Sequence, residues 1–218
     1  MDSATDARAF WGRAAGSKVF AHALDVPRLA RALPEGAAVL DYGCGRGRLC
    51  SELSTRGGFK LVGADFSAEM IAAARHDVPG VRFVHVAGDT LPFADAQFDS
   101  VLLFAVLTCI ASGSAQRGLV AELRRVLRTD GLLLVSDYLL QDDARNRARY
   151  DAFAAEHGST DDLPYGVFRV PDGAVLRHHT PPWMAALFSA FTMQDCVTRD
   201  AVTMNGNPAR ITQWWLRA

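Results

Sequence analysis

Val39-Leu40-Asp41-Tyr42-Gly43-Cys44-Gly45-Arg46-Gly47-Arg48-Leu49 reads as a buried strand ending in an acid, a loop with glycine at alternate positions, and the start of a helix. Glycine lacks a Cβ, so it takes positive φ and lets a ligand lie directly against the backbone. A turn of this kind, closing a strand and opening a helix, is where open α/β sheets bind nucleotides. Two further acids repeat the geometry. Asp65 follows Asp41 by 24 residues and Asp89 follows by another 24, each just past an apolar, strand-like run. The repetition points to an adenosine-type ligand.

The spacing separates two kinds of nucleotide site. A dinucleotide fingerprint is G-x-G-x-x-G, with a pyrophosphate on the helix N-terminus. This loop is Gly-x-Gly-x-Gly with an acid before it, and it lacks a Walker lysine followed by Ser or Thr. Carboxylates flanking the loop would repel phosphates. They suit a zwitterion with an amino group, ribose hydroxyls and a sulfonium, so the charge balance favours S-adenosylmethionine over NAD.

Working outward, apolar runs at about 37–41, 60–64, 81–86, 98–104 and 131–136 alternate with helical stretches at about 47–56, 67–76 and 115–128. This alternation predicts a parallel sheet with right-handed crossovers and helices on both faces. Ser67 reads as an N-cap, with Met70, Ile71 and Ala74 on the buried side of its helix. Upstream, residues 3 to about 33 read as a helical region marked by Phe10, Trp11, Val19, Phe20 and Leu24. Downstream, Asp142 to Tyr150 reads as a charged helix whose leading acids suit its dipole, followed by an irregular stretch rich in Gly, Pro and Asp through about Pro182. A helix at about 183–191 and strands at about 193–203 and 209–217, joined at Asn205-Gly206-Asn207-Pro208, predict a closing antiparallel hairpin. Trp183, Trp214 and Trp215 read as packing residues.

Composition narrows the class. The 218 residues suffice for one sizeable core, half of them are hydrophobic, and 23 basic residues face 24 acidic ones. That balance argues against a nucleic-acid grip, and no apolar run reaches bilayer length. The start of the sequence lacks the pattern of a signal peptide. Cys44, Cys50, Cys109 and Cys196 form no CxxC pair, so neither a zinc site nor a disulfide framework is expected and no metal is assigned. A cytoplasmic protein, monomeric or homodimeric, is the simplest expectation.

Asp41 to Gly47, Asp65 and the Gly88-Asp89-Thr90-Leu91-Pro92-Phe93 segment together resemble the class I S-adenosylmethionine-dependent methyltransferases of the small-molecule type. The resemblance is best over residues 37–137. It implies a Rossmann-like seven-stranded sheet in the order 3-2-1-4-5-7-6, with strand 7 antiparallel. It also implies one domain over 1–218: an N-terminal helical cap (1–33), a cofactor-binding core (37–137), a variable substrate or lid segment (138–182), and a C-terminal helix and hairpin (183–218). By the same resemblance Asp41, Gly43, Cys44, Gly45 and Gly47 would lie against the methionine part of the cofactor. Asp65 would bind the ribose hydroxyls, and Phe66 and Met70 would pack on the nucleoside. Gly88, Asp89, Thr90 and Leu91 would recognise adenine, and Phe104 would end the strand after which Ala105 and Val106 border the methionine and the transferred methyl. Trp11, with Phe10, reads as a core staple or a cofactor lid.

The acceptor is expected near the ends of the fourth and fifth strands, as a small molecule. Methyl transfer draws mainly on proximity, orientation and exclusion of water, with a general base needed only for a protonated acceptor. Tyr138, His178 and His179 are the candidate catalytic residues. Each has a structural alternative, a sheet-end aromatic for Tyr138 and loop or capping roles for the histidines. The Arg145–Arg149 cluster reads as a solvated helix face or an attractor for an anion. Two other functions stay open: use of S-adenosylmethionine for cyclisation or aminocarboxypropyl transfer, and a non-catalytic cofactor-binding subunit. Hydride transfer fits the loop least.

Overall fold

The computed structural model describes residues 22–171, 173–203 and 205–218. Phe10, Trp11, Val19 and Phe20, with most of the expected N-terminal cap, lie outside the described residues. The elements in chain order are α1 (Val26–Ala32), β1 (Ala37–Tyr42), α2 (Arg48–Arg56), β2 (Phe59–Asp65), α3 (Ala68–Asp77), β3 (Arg82–His85) and β4 (Phe98–Phe104). A 3₁₀ turn at Leu107–Cys109 follows, then α4 (Gly113–Val126), β5 (Leu127–Tyr138), α5 (Ala144–His157), β6 (Val167–Arg169), β7 (Val175–Arg177), α6 (Pro181–Leu187), β8 (Thr192–Val202) and β9 (Pro208–Arg217).

Seven strands form one sheet in the order β3-β2-β1-β4-β5-β9-β8. The first five are parallel, and β9 runs antiparallel to both β5 and β8. This is the expected order, with β8 and β9 as the sixth and seventh strands. In-register pairing aligns Asp41 with Gly63 and Leu102, and Phe104 with Ser136. The ends of β1, β2, β4 and β5 therefore share one edge of the sheet, which is where the site lies.

Period-two alternation divides the core into two layers. On one face Leu40, Val101, Leu103, Leu133, Val135 and Trp214 pack with α4 and α6. On the other, Val39, Leu102, Leu132, Leu134 and Trp215 pack with α1 and α2. Adjacent Trp214 and Trp215 thus serve opposite layers, and the Arg28 guanidinium lies 4.0 Å over the Trp215 ring.

Helix starts follow side-chain capping. Ser67 accepts from Met70 N, Ser112 from Ala115 N, Asp143 from Asn146 N and Thr180 from Trp183 N. With Thr180 as cap and Pro181 at the first helical position, α6 starts two residues before the expected 183 and ends at Leu187. The stretch expected to be irregular contains a two-stranded sheet, β6 paired with β7. Each strand has three residues, below the length at which alternation becomes a signal. Tertiary packing holds this hairpin. Phe168, Val170, Ala174 and Leu176 form a cluster with Tyr150 of α5 and Met70 of α3, with Phe66 and Cys109 packed at its margin. The hairpin thereby covers the edge of the sheet where the strand ends meet.

Among the described residues no helix is long and apolar enough to cross a membrane.

Candidate cofactor and acceptor site

The glycine loop takes the shape its spacing implies. Gly43, Gly45 and Gly47 have φ of 73°, 52° and 81°. The amides of Gly43 and Cys44 donate to Ala64 O at 2.7 and 3.0 Å, which ties the loop to the end of β2. A Cβ on Gly43 would stand 2.3 Å from Val106 Cγ2, and one on Gly47 would stand 2.9 Å from Phe83 Cζ. A Cβ on Gly45 would meet only Met70 Sδ, at 3.9 Å. The outer glycines are thus required by packing, whereas the middle one leaves bare backbone. Cys44 turns its side chain inward, against Cys50, Ile71 and Phe83, and burial pushes its thiol up.

Three acids stand around this loop. Asp65 accepts from Gly45 N and Ser67 N, each at 2.9 Å and each on a different oxygen. Each oxygen retains a lone pair for a ligand. Burial raises the Asp65 carboxyl, partly offset by these backbone donors. Asp41 is buried behind the loop, accepts from Cys50 Sγ at 3.5 Å, and is pushed up to about 7 by burial. Asp89 is exposed, on the segment Gly88–Thr90, and Leu91 beyond it is buried with its amide donating to Glu122. The Tyr42 phenol lies within the field of both Asp65 and Asp89, which adds to burial in raising it to about 12. The cations of the loop turn elsewhere: Arg46 pairs with Asp77 and Arg48 donates to His22 O.

At the end of β4, Phe104 is half-buried and Ala105 is buried with φ of 57°. A non-glycine residue in that region is strained, and such strain gathers at functional turns. Asp137, which the sequence reading passed over, holds this turn from β5. It is fully buried, accepts from Tyr138 N at 2.8 Å and Thr108 N at 3.2 Å, and is pushed up to about 7 by burial. Its signal was available: like Asp41 and Asp65, it follows an apolar run.

Tyr138, His178 and His179 come together, but in different roles. Tyr138 is 3% exposed, stacks on His178 at 5.1 Å, and its hydroxyl has no hydrogen-bond partner. Burial pushes the phenol up, so it remains a donor rather than a phenolate. His178 Nδ1 lies 2.6 Å from Tyr150 Oη, and burial holds the imidazole well below its ordinary value. Both line a cleft that opens to solvent, together with Thr108, Phe168, Arg149 and Asn205.

His179 faces the other way, because successive residues of an extended segment alternate. Trp183 Nε1 donates to Gln116 Oε1 at 2.8 Å, which fixes the amide, and Gln116 Nε2 lies 2.9 Å from His179 Nε2. An amide NH2 only donates, so His179 Nε2 accepts and the ring proton sits on Nδ1, 3.1 Å from Tyr138 O. Burial lowers its pKa to about 3. Because the folded-state pKa lies below the unfolded value, the unfolded chain binds the proton first as pH falls. His179 thus contributes stability that is present above about 6.5 and lost on acidification toward about 3. Comparing melting temperatures of wild type and His179→Gln from pH 7.5 to 4.5 checks this. The wild-type advantage should shrink as pH falls; a constant difference would contradict the assignment.

Among the described residues no group of three or more His, Cys, Asp or Glu is placed to hold a metal ion.

Residues 40–135 match the family model described as "Methyltransferase domain". A demethylmenaquinone methyltransferase of Beutenbergia cavernae is 35% identical over 103 residues, 47% of this chain and 41% of that protein. The match thus spans less than half the length of that curated relative. Among solved structures, a SAM-dependent methyltransferase of Methanosarcina mazei superposes with a TM-score of 0.79 at 22% identity, covering 88% of this chain and 96% of that one. A 1,6-didemethyltoxoflavin-N1-methyltransferase of Burkholderia thailandensis, solved with bound 1,6-didemethyltoxoflavin and S-adenosylhomocysteine, gives a TM-score of 0.60 at 22% identity over 99% of this chain and 80% of that one. Residues 40–135, somewhat under half of the chain, thus match a methyltransferase-domain model, and the chain shares the fold of these solved structures.

Proposed function

We propose that this protein binds S-adenosylmethionine along the edge formed by β1, β2 and β4 and transfers its methyl group to a small-molecule acceptor in the adjoining cleft. One observation carries the reading most: an open backbone curve at Gly45 lies beside Asp65, whose oxygens already order the loop and each keep a lone pair. The residues fit this cofactor. Asp65 and Asp89 jointly impose a negative field, felt at Tyr42, that suits an amine, ribose hydroxyls and a sulfonium and disfavours a pyrophosphate. Asp65 would hold the ribose, Asp89 the adenine amino group, and the loop backbone the methionine portion, with Phe66 and Met70 against the nucleoside.

When bound, the cofactor supplies a methyl group activated by its sulfonium. The chain's own part is to position the acceptor and exclude water. The β6–β7 hairpin and α5 cover the edge and dry it. Tyr138 donates its unpartnered hydroxyl hydrogen to the acceptor and orients it. His178 is neutral at pH 7; Tyr150 Oη accepts from Gln141 N and donates to His178 Nδ1, so the ring proton sits on Nε2, which donates to the acceptor and helps orient it. His179, facing away from the cleft, ties its segment to Tyr138 O and Gln116. Four free cysteines agree with a reducing compartment such as the cytoplasm.

Titration calorimetry with S-adenosylmethionine and with NAD tests the cofactor, and chromatography of the spent cofactor tests the reaction. Binding of the first alone, with release of S-adenosylhomocysteine, is expected. Release of methylthioadenosine instead would mean cyclisation or aminocarboxypropyl transfer.

A further inference from the structure

The cleft beside Tyr138 carries more positive charge than its surroundings neutralise. Arg145 and Arg149, one turn apart on α5, both line it, and no Asp or Glu does. Arg149 is half-buried. Its guanidinium carbon lies 3.6 Å above the Phe168 ring, one Nη donates to Asn146 Oδ1, and its buried Nε has no partner. Among the described residues no carboxylate lies within ion-pair distance of Arg149. The nearest acid in its field is Asp143, which caps α5, bonds Asn146 and stands 3.8 Å from Arg145. Burial and the charge of Arg145 both press on the Arg149 cation.

A half-buried guanidinium with an idle donor and a second guanidinium beside it is costly unless an anion joins them. Arg177 is also buried, lies 4.2 Å over the Trp183 ring, donates to Ala111 O and leaves its Nε unpartnered, but it lines a separate, mostly apolar cavity with no second arginine in its lining. Arg149 and Tyr138, whose Nε and hydroxyl are both buried and unpartnered, line the same cleft. Apolar Phe168, Val170 and Leu176 complete its lining, with Asn205 and Asn207 from the β8–β9 turn.

We propose that the acceptor is an anion: Arg149, helped by Arg145, binds a carboxylate or phosphoryl group of the small molecule, leaving its apolar body against Phe168 and its reacting atom toward Tyr138. This rests on the reading of the cleft as the acceptor site. Arg149 is thus a specificity-determining residue, and an otherwise identical neutral molecule is discriminated against because it leaves the Arg149 cation without a counter-charge.

The test uses 4-hydroxybenzoate and phenyl phosphate as anionic probes and 4-hydroxybenzamide as the neutral one, each titrated with and without saturating S-adenosylhomocysteine. At least one anion is expected to bind wild type tenfold or more tightly than the amide, and the tighter anion identifies the oxyanion class. Arg149→Met, which keeps a long apolar stem over Phe168, should erase that preference while leaving affinity for the amide and for S-adenosylhomocysteine unchanged. Equal affinity for anions and amide, no binding of either anion, or a preference that survives Arg149→Met overturns the proposal. Failure of S-adenosylhomocysteine to bind would instead sink the cofactor reading, and the titrations without it still decide the anion question.

Discussion

Asp65→Ala should weaken binding of S-adenosylhomocysteine by about 2 kcal/mol or more, roughly thirtyfold. Two losses add. The ribose hydroxyls lose a charged acceptor, and the amides of Gly45 and Ser67 lose the oxygens that hold them at 2.9 Å. The second loss loosens the loop that must meet the methionine portion, so the direct and indirect effects fall on one ligand. Asp65→Asn is not a mild control. Its NH2 would face one of the two backbone N–H groups, donor against donor, and should cost nearly as much. Calorimetric titration of both variants, with circular dichroism to confirm folding, measures this. Unchanged affinity in Asp65→Ala would remove the residue from the site.

Gly43→Ala is expected to be the most damaging single methyl in the loop. Its Cβ would stand 2.3 Å from Val106 Cγ2 at a φ of 73°, so overpacking and a left-handed backbone coincide. Each costs about 1–3 kcal/mol, and the loop can relax only by moving away from Ala64 O or displacing the turn after β4. Stability should fall by about 3 kcal/mol, with cofactor affinity lost in step. Gly88→Ala provides the contrast, since a Cβ there meets nothing within 4 Å and should leave the melting temperature nearly unchanged. Placing Gly43→Ala in a Val106→Ala background should recover part of the loss, because the cycle isolates the contact. Full additivity of the two would mean that the Val106 contact is not the cause.

The shape of the glycine loop was legible because glycine and acid placement in a βα turn is local chemistry. Asp41, Gly43, Gly45, Gly47 and Asp65 stand at the ends of strands that the apolar runs already mark. The acceptor side was legible only in part. His178 and His179 are neighbours in sequence, yet one lines the cleft and the other is locked to Gln116, since extended backbone sends alternate side chains to opposite sides. Which one faces inward depends on the pairing of their segment with Tyr138 O and Gly166 O, which no periodicity in this stretch reveals. Asp137 escaped notice because its work is to hold the backbone of another loop, at Thr108. Such a partner is distant in the chain.

By itself the sequence determined the alternation of strands and helices and the glycine curve, because apolar runs, caps and turn residues act over a few positions and agree with one another, while the strand order came only as what the resemblance implied. Only the tertiary structure decided what lies over that curve. The three-residue strands of β6 and β7 are too short to specify themselves and exist because Phe168, Val170 and Leu176 find Tyr150 and Met70. That packing, made between segments far apart in the chain, is what converts a charged helix face into the wall of a cleft and leaves Arg149 beside Tyr138 without a counter-charge.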